Sequence, residues 1–353
     1  MKIALVHDYL NEFGGAEKVL QALCEIFPDA PIYTAFCVPG SSAAKVFAGK
    51  KIISSWFQCV PFYQKLYSPL RFLIPWIWGS LDLSAYDLVI TSASWYITKG
   101  LHPHEICYCH TPPRWLYGYP TSINLQKYWP VRLYGTIVGH FLRMYDFDQA
   151  QKVKLFLANS QNVADRIRKF YRRDSIVVYP PVQIQNIKSK ISKGDYYLIV
   201  SRLVGAKGIE MAIAASQKYG FKLKIAGEFA GLKKITNVET LGRVGEEEKA
   251  ELMAGAKGFL ALARDEDFGI TPVESMLCGT PVIAFNGGGY KETVIDGKTG
   301  VLFSDYSVDG LWQAIQRFEN LKFKTYDLKT QAKKFSKTNF IKIIRTLCQN
   351  FQK

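Results

Sequence analysis

No run in this sequence approaches the ~20 consecutive apolar residues that a membrane-spanning helix requires. Any membrane contact is therefore expected from the side. Glycine and proline are not inflated and charged residues make up 21%, which excludes a long disordered or low-complexity chain. A disulfide framework is missing too. The seven cysteines, Cys24, Cys37, Cys59, Cys107, Cys109, Cys278 and Cys348, are odd in number, scattered and partly inside apolar runs. They read as reduced, buried thiols of a cytoplasmic protein. Residues Met1–Asp8 lack the length and cleavage site of a signal peptide and read instead as a first strand. Acid is scarce: 30 Asp and Glu face 45 Lys and Arg, a net charge of +15. That imbalance attracts an anionic partner, whether nucleic acid, an acidic membrane face or a phosphate-bearing substrate, and does not choose among them.

What is present is enough apolar material for a large core, 48% of 353 residues, and the length favours two domains. Short apolar runs alternate with amphipathic helical patterns. Strands are expected at Ile3–His7, Leu88–Thr91, Ile106–Cys109, Leu155–Ala158 and Ile176–Tyr179. After the polar stretch Gln183–Asp195 the pattern restarts at Tyr197–Ser201, Leu223–Ala226, Val238–Leu241, Gly258–Leu262, Pro281–Ala284 and Val301–Phe303. Continuous apolar strands separated by helices imply parallel sheets covered on both faces. The expected fold is α/β, two Rossmann-like doubly wound domains facing across a cleft. Their bounds are residues 1–185 and 196–330, joined by a linker at 186–195. A C-terminal helix at 331–353 is expected to pack back on the first domain.

Ile52–Trp78 departs from this scheme, with Trp56, Phe57, Phe62, Tyr63, Tyr67, Phe72, Trp76 and Trp78 interleaved with Lys65 and Arg71. It reads as an insertion of residues 52–78 that either packs its aromatics inside a local helical subdomain or presents them at headgroup depth beside cations. A nucleic-acid surface would need a recognised motif to accompany the charge, and none does.

Three constellations carry chemistry. Gly14 and Gly15 follow the first strand at a helix entry, where the backbone can approach a ligand and the helix N-terminus favours an anion. They fall short of the three-glycine dinucleotide fingerprint. Arg202 and Lys207 stand five apart on the loop leaving the strand at Tyr197. A guanidinium fork and an ammonium there suit a diphosphate at the strand ends of an open parallel sheet. The sharpest is Glu266-Asp267-Phe268-Gly269-Ile270-Thr271-Pro272-Val273-Glu274. Thr271 to Glu274 has the form of a capping box with Pro272 at the first helical position, so Glu274 has a structural reading. The amides of Gly269–Thr271 would line a positively polarised N-terminus, flanked by two carboxylates able to take sugar and ribose hydroxyls. Gly287-Gly288-Gly289 would add backbone donors nearby.

His102, His104, Cys107, Cys109 and His110 put five metal-binding side chains within nine residues. Yet Cys107 and Cys109 alternate with Ile106 and Tyr108 as in a buried strand, and no second ligand pair matches them. No metal is expected. His110, at the end of that strand, is instead a site candidate.

Together these residues resemble the large retaining glycosyltransferase family with the GT-B fold, group 1 or family 4. Glu266 and Glu274 match its Glu-x7-Glu motif, and Gly14-Gly15, His110, Arg202, Lys207, Tyr179-Pro180-Pro181-Val182 and Gly287–Thr293 fall where the family has them. The resemblance implies that Arg202 and Lys207 hold the donor diphosphate, with Gly14 and Gly15 contacting it from the opposite domain. Phe268, Gly269, Ile270 and Thr271 would complete the donor site. Glu266 would bind the transferred sugar, Glu274 the ribose, and His110 would lie near the reacting carbon, with His110 and Glu266 as the catalytic pair. It further implies a nucleotide-sugar co-substrate, no cofactor, and metal-independent transfer with same-face attack, two cations neutralising the leaving charge. The stretch Ile106–Trp115, with Asp87–Ile90 upstream, resembles a mannosyltransferase-like subgroup of polysaccharide and O-antigen (lipopolysaccharide) assembly. It implies GDP-mannose as donor, a lipid-linked or oligosaccharide acceptor, and a peripheral position on the anionic inner face of the cell membrane, with no specific nucleic-acid partner. Gln183 departs from the family, standing where an acid often follows Pro-Pro-Val. Two rivals stay open: a nucleotide-sugar epimerase of the same architecture, and a non-catalytic nucleotide- or nucleic-acid-binding protein.

Overall fold

The computed structural model describes residues 1–119, 128–184, 191–201, 207–227 and 235–351 of the chain. They form two compact units. The first takes the described residues of 1–181 together with 340–351, and the second takes those of 182–339. The expected linker at 186–195 lies partly outside the described residues.

In the first unit seven strands are all parallel: β1 (Ile3–His7), β2 (Ile32–Thr34), β3 (Ile52–Ser54), β4 (Leu88–Ala93), β5 (Glu105–Cys109), β6 (Leu155–Ala158) and β7 (Ser175–Val177). Their order is β3-β2-β1-β4-β5-β6-β7. The chain therefore builds outward from β1 in one direction, then returns and builds in the other. Leu5 sits opposite both Ile32 and Ile90, and His7 sits opposite Thr34 and Ser92. Every residue of β4 and β5 is buried, as strands covered on both faces must be. Helix Gly15–Ile26 lays Val19, Leu20, Leu23 and Ile26 onto this sheet at helical spacing.

The expectation at 52–78 needs correcting. Ile52–Ser54 is not an insertion but the edge strand of the sheet, paired with β2. The aromatics that follow divide. Phe57 and Trp78 are buried in a core with Phe36 and Tyr96, while Phe62 and Trp76 stand exposed.

The second unit repeats the plan with six parallel strands: β8 (Tyr197–Val200), β9 (Leu223–Ala226), β10 (Val238–Gly242), β11 (Gly258–Ala261), β12 (Val282–Phe285) and β13 (Gly300–Phe303). Their order is β10-β9-β8-β11-β12-β13. The core joins Leu223, Ile225, Leu260, Ile283 and Val301 to helices Ile209–Tyr219 and Val308–Glu319.

The tail is two helices rather than one from residue 331. Thr325–Lys333 belongs to the second unit, and Lys337–Asn350 follows it. From Phe340 onward the chain is part of the first unit. Phe340, Ile344 and Cys348, four apart, enter the core that contains Leu5 and Tyr108.

Candidate functional site

Open parallel sheets bind ligands beyond the carboxyl ends of their strands, where the strand order reverses. That point lies between β1 and β4 in the first unit and between β8 and β11 in the second. Gly14 and Gly15 follow β1, Lys207 follows β8 and Glu266 follows β11 at these edges, while His110 follows β5, the neighbour of β4.

In the second unit, Lys207 follows β8 and Glu266 follows β11. The Lys207 ammonium donates to Glu266 Oε2 at 2.5 Å, with both side chains partly open to solvent. The Tyr290 hydroxyl donates to the same oxygen at 3.4 Å. Burial, then the Glu266 charge, pushes that phenol well above its ordinary value, so it remains a proton donor. Arg202 lies outside the described residues.

Helix Ile270–Leu277 begins differently from the sequence reading. Its N-cap is Gly269, in the left-handed region at φ 89°, with no side-chain capping bond. The capping box expected at Thr271 and Glu274 is therefore not formed, and Pro272 is third in the helix rather than first. A Cβ on Gly269 would lie 2.6 Å from the Tyr290 ring, so glycine is required on two counts. Glu274 is buried at 1% exposure, and its Oε2 meets the Lys249 ammonium at 3.2 Å. Lys249 is also buried and bonds Glu246 at 2.7 Å. Phe268 is buried against Phe335, ring centroids 5.3 Å apart, whereas Ile270 and Thr271 are half-buried on the helix's first turn.

Gly287-Gly288-Gly289 also has a different role from the one expected. The Gly287 and Gly289 amides donate to Phe285 O at 2.8 Å and Glu266 O at 2.9 Å, so they are committed within the protein. The glycines let this turn press on the backbone of 264–268. A Cβ on Gly287, Gly288 or Gly289 would stand 2.4, 2.2 or 2.4 Å from backbone atoms of Arg264, Glu266 or Phe268. The triplet thus fixes the loop that carries Glu266.

In the first unit, Gly14 caps helix Gly15–Ile26, and its amide donates to Glu17 Oε2 at 2.8 Å. Gly15 is exposed beside it. His110, at the end of β5, is 8% exposed and packs on the Tyr108 ring. A chain of hydrogen bonds runs from it. His110 Nε2 and Ser92 Oγ are 2.8 Å apart, Ser92 Oγ and His7 Nδ1 3.0 Å, and His7 Nε2 and Glu17 Oε1 3.3 Å. Burial alone would raise the Glu17 carboxyl, but the His7 bond and charge and the Gly14 amide hold it below the usual range. The glycine turn and the imidazole of His110, 95 positions apart, are thus linked through Ser92, His7 and Glu17.

Beside this chain, Asp8 accepts from the Thr98 hydroxyl and from the amides of Trp95 at 2.5 Å and Ser94 at 3.1 Å, anchoring the loop after β4. Sequence reasoning did not single out His7, Asp8, Glu17 or Ser92. The available signal was a polar residue closing an apolar strand at the reversal point, as in Val6-His7-Asp8 and Ile90-Thr91-Ser92. Cys107 and Cys109 are both buried in one core cluster, while His102 is half-buried and His104 exposed. Among the described residues no group of three or more His, Cys, Asp or Glu is placed to hold a metal ion.

Residues 182–335 match the family of glycosyl transferases group 1. Among curated relatives, an uncharacterised glycosyltransferase of Methanocaldococcus jannaschii is 30% identical over 216 residues, 58% of this chain and 60% of the relative. An alpha-1,3/1,6-mannosyltransferase of Dictyostelium discoideum is 39% identical over 100 residues, 28% of this chain and 23% of the relative. The chain thus spans less than two thirds of the length of these curated relatives. Among solved structures, Anabaena Alr3699/HepE in complex with UDP and glucose is similar at a TM-score of 0.69 with 17% identity, covering 99% of this chain and 100% of that one. At that identity the likeness is one of fold.

Proposed function

We propose, from the premise that the chain belongs through residues 182–335 to the group 1 glycosyltransferases, that it transfers a hexose from a nucleotide-sugar to a glycan or lipid-linked acceptor. The observation that carries this reading is the Lys207–Glu266 pair, 2.5 Å apart at the strand ends of the family-matched unit. Without donor, each charge neutralises the other. A donor diphosphate would draw the Lys207 ammonium to its own oxygens and leave the Glu266 carboxylate to accept from sugar hydroxyls. One internal ion pair is exchanged for two charge-assisted contacts, which are about twice as strong as neutral hydrogen bonds. Tyr290 keeps Glu266 aimed during the exchange.

In the proposed reaction the bond from the sugar's anomeric carbon to the diphosphate oxygen breaks, and a bond from that carbon to the acceptor oxygen forms on the same face. The acceptor's proton passes to the departing phosphate. Lys207, the proposed Arg202 and the half-buried first turn at Ile270 and Thr271 stabilise the charge that develops on the leaving group. No cofactor or metal is assigned a part. Glu274, buried on Lys249, is proposed to receive the ribose hydroxyls, and Phe268 and Gly269 to shape the pocket. His110 and the Gly14–Gly15 turn are proposed as the first unit's contribution to the donor. Mannose from GDP-mannose is the proposed donor sugar, which the named activity of the Dictyostelium relative supports. A lipid-linked acceptor in cell-surface glycan synthesis, at the inner face of the membrane, is the proposed setting, and the exposed Phe62 and Trp76 favour it.

The test is release of nucleoside diphosphate from a panel of GDP-, UDP- and ADP-hexoses, with a bacterial lipid extract as acceptor source and EDTA present. One donor should turn over, and Lys207→Ala and Glu266→Ala should each lose that release. Full turnover by Glu266→Ala would remove its assigned role. NMR of the donor incubated alone distinguishes the epimerase: interconversion of the sugar without acceptor would replace the transferase reading.

A further inference from the structure

Helix Trp129–Lys152 is apolar on two sides. Its inner side places Leu142, with Val138 and Tyr145, in the core that also holds Leu70, Leu73 and Trp78. Its outer side presents Trp129, Leu133, Ile137 and Phe141, four residues apart and therefore on one stripe. Trp129 is 70% exposed and Phe141 61%. Helix Gly15–Ile26, by contrast, turns Glu25 and Gln21 outward. An unbroken apolar stripe of this length on a folded unit marks an interaction surface.

The stripe has a neighbour. The Tyr134 hydroxyl donates to Pro69 O, and Arg71 lies half-buried near Tyr9, Tyr67, Tyr96 and Tyr134. The helix is thereby fastened to the aromatic segment that exposes Phe62 and Trp76, the latter at 63%. Between Trp56 and Trp76 this segment also opens an apolar groove floored by Phe72 and Pro75.

Charge decides what the surface fits. Residues 30–81 contain no Asp or Glu and carry Lys45, Lys50, Lys51, Lys65 and Arg71. Residues 106–145 contain none either and carry Arg114, Lys127, Arg132 and Arg143. On helix Trp129–Lys152 the two acids, buried Asp146 and exposed Asp148, lie near its C-terminal end, beyond the stripe Trp129 to Phe141. Exposed tryptophans among cations with no acids suit the headgroup layer of an anionic bilayer, where the ring sits at the interface and each nearby cation gains from the surface potential. No helix among the described residues is long and apolar enough to cross a membrane. Helix Trp129–Lys152 itself is tied into the core along its inner side, which leaves lying flat as its mode of contact.

We propose that the outer stripe of helix Trp129–Lys152, together with the 56–76 segment, is a docking platform for anionic phospholipid bilayers. This extends the membrane-side placement proposed above to a second element and a lipid class. It stands or falls without the transfer reaction, because no nucleotide-sugar is needed to test it.

The experiment is sedimentation of the full chain with phosphatidylcholine vesicles and with vesicles of phosphatidylcholine and phosphatidylglycerol at 7:3. It uses the parent, Ile137→Gln/Phe141→Gln and Trp76→Ser, each checked by circular dichroism and light scattering. These side chains are exposed, so the folded structure should be kept. Partitioning of the parent should favour the anionic vesicles by about tenfold or more, and should fall about tenfold in each variant. Equal binding to both vesicle types would overturn the proposal. So would binding that Ile137→Gln/Phe141→Gln leaves unchanged, or a dimer dispersed by that variant in a protein that ignores vesicles.

Discussion

Gly288→Ala should cost more stability than any other single methyl group added to the second unit's site. Gly288 holds φ 53°, and its added Cβ would lie 2.2 Å from Glu266 O and 2.7 Å from Glu266 N. The left-handed conformation costs alanine about 1–2 kcal/mol. A contact that short with backbone cannot be relieved by swinging a side chain, and overpacking adds roughly 1–3 kcal/mol. The total, about 2–5 kcal/mol, corresponds to a fall in Tm of roughly 5–15 °C for a unit of this size. The control is Gly297→Ala, which shares a positive φ of 72° but meets nothing within 4 Å, so it carries the backbone cost alone. Urea unfolding followed by tryptophan fluorescence on both variants isolates the contact. Gly288→Ala should also impair nucleotide-sugar turnover, because the backbone that moves is the one bearing Glu266, whereas Gly297→Ala should not. If the two variants lose the same stability, the account of the glycine triplet as the clamp on the Glu266 loop is wrong.

Other expectations follow from buried polar groups. Lys249→Met removes the ammonium that meets Glu274 at 3.2 Å and should destabilise by about 3–5 kcal/mol. Adding Glu274→Leu should recover most of that loss in the same urea titration, and an additive double variant would argue against the pair. Ser92→Ala takes the shared partner from two buried imidazoles and should cost about 1–3 kcal/mol. In NMR spectra the ring resonances of both His7 and His110 should shift, and unchanged resonances at either imidazole would rule out Ser92 as their link. Burial raises the Glu105 carboxyl to about 7. Between the ordinary range near 4.5 and that value, the native state holds a proton the unfolded state has released, so stability falls as pH rises through this window. At ~1.4 kcal/mol per unit, the fall is about 3 kcal/mol. Glu105→Gln should flatten unfolding free energy between pH 5 and 7, and an unaltered slope would contradict the assignment.

The parallel sheets were readable because fully buried strands appear as continuous apolar runs such as Leu88–Ile90 and Val282–Ala284. The strands β2 and β3 were not. Each is three residues long, too short to show any period, and is held in place by pairing with β1 and β2. The Thr271-to-Glu274 spacing satisfied a local capping rule, but the left-handed Gly269 starts the helix two residues earlier, and Glu274 is buried within it. Sequence locates the residues that close strands; it does not say which meet. His7 reaches Ser92 across 85 positions because β1 and β4 are neighbours, a consequence of strand order rather than of anything local to either residue. Lys207 and Glu266 were each identifiable from type and place, but their 2.5 Å pairing was not.

In the proposed reaction Lys207 serves the diphosphate and Glu266 the sugar. Isothermal titration of GDP-mannose and of GDP alone, in EDTA, into the parent, Lys207→Ala and Glu266→Ala tests this directly. A charge-assisted contact is worth about 1.5–3 kcal/mol, so losing Lys207 should weaken both ligands roughly 10- to 100-fold. Losing Glu266 should weaken GDP-mannose by a similar factor and leave GDP nearly unchanged. If Glu266→Ala weakens the two ligands equally, or if the parent binds neither, the assignment of sugar and diphosphate to these two residues is contradicted.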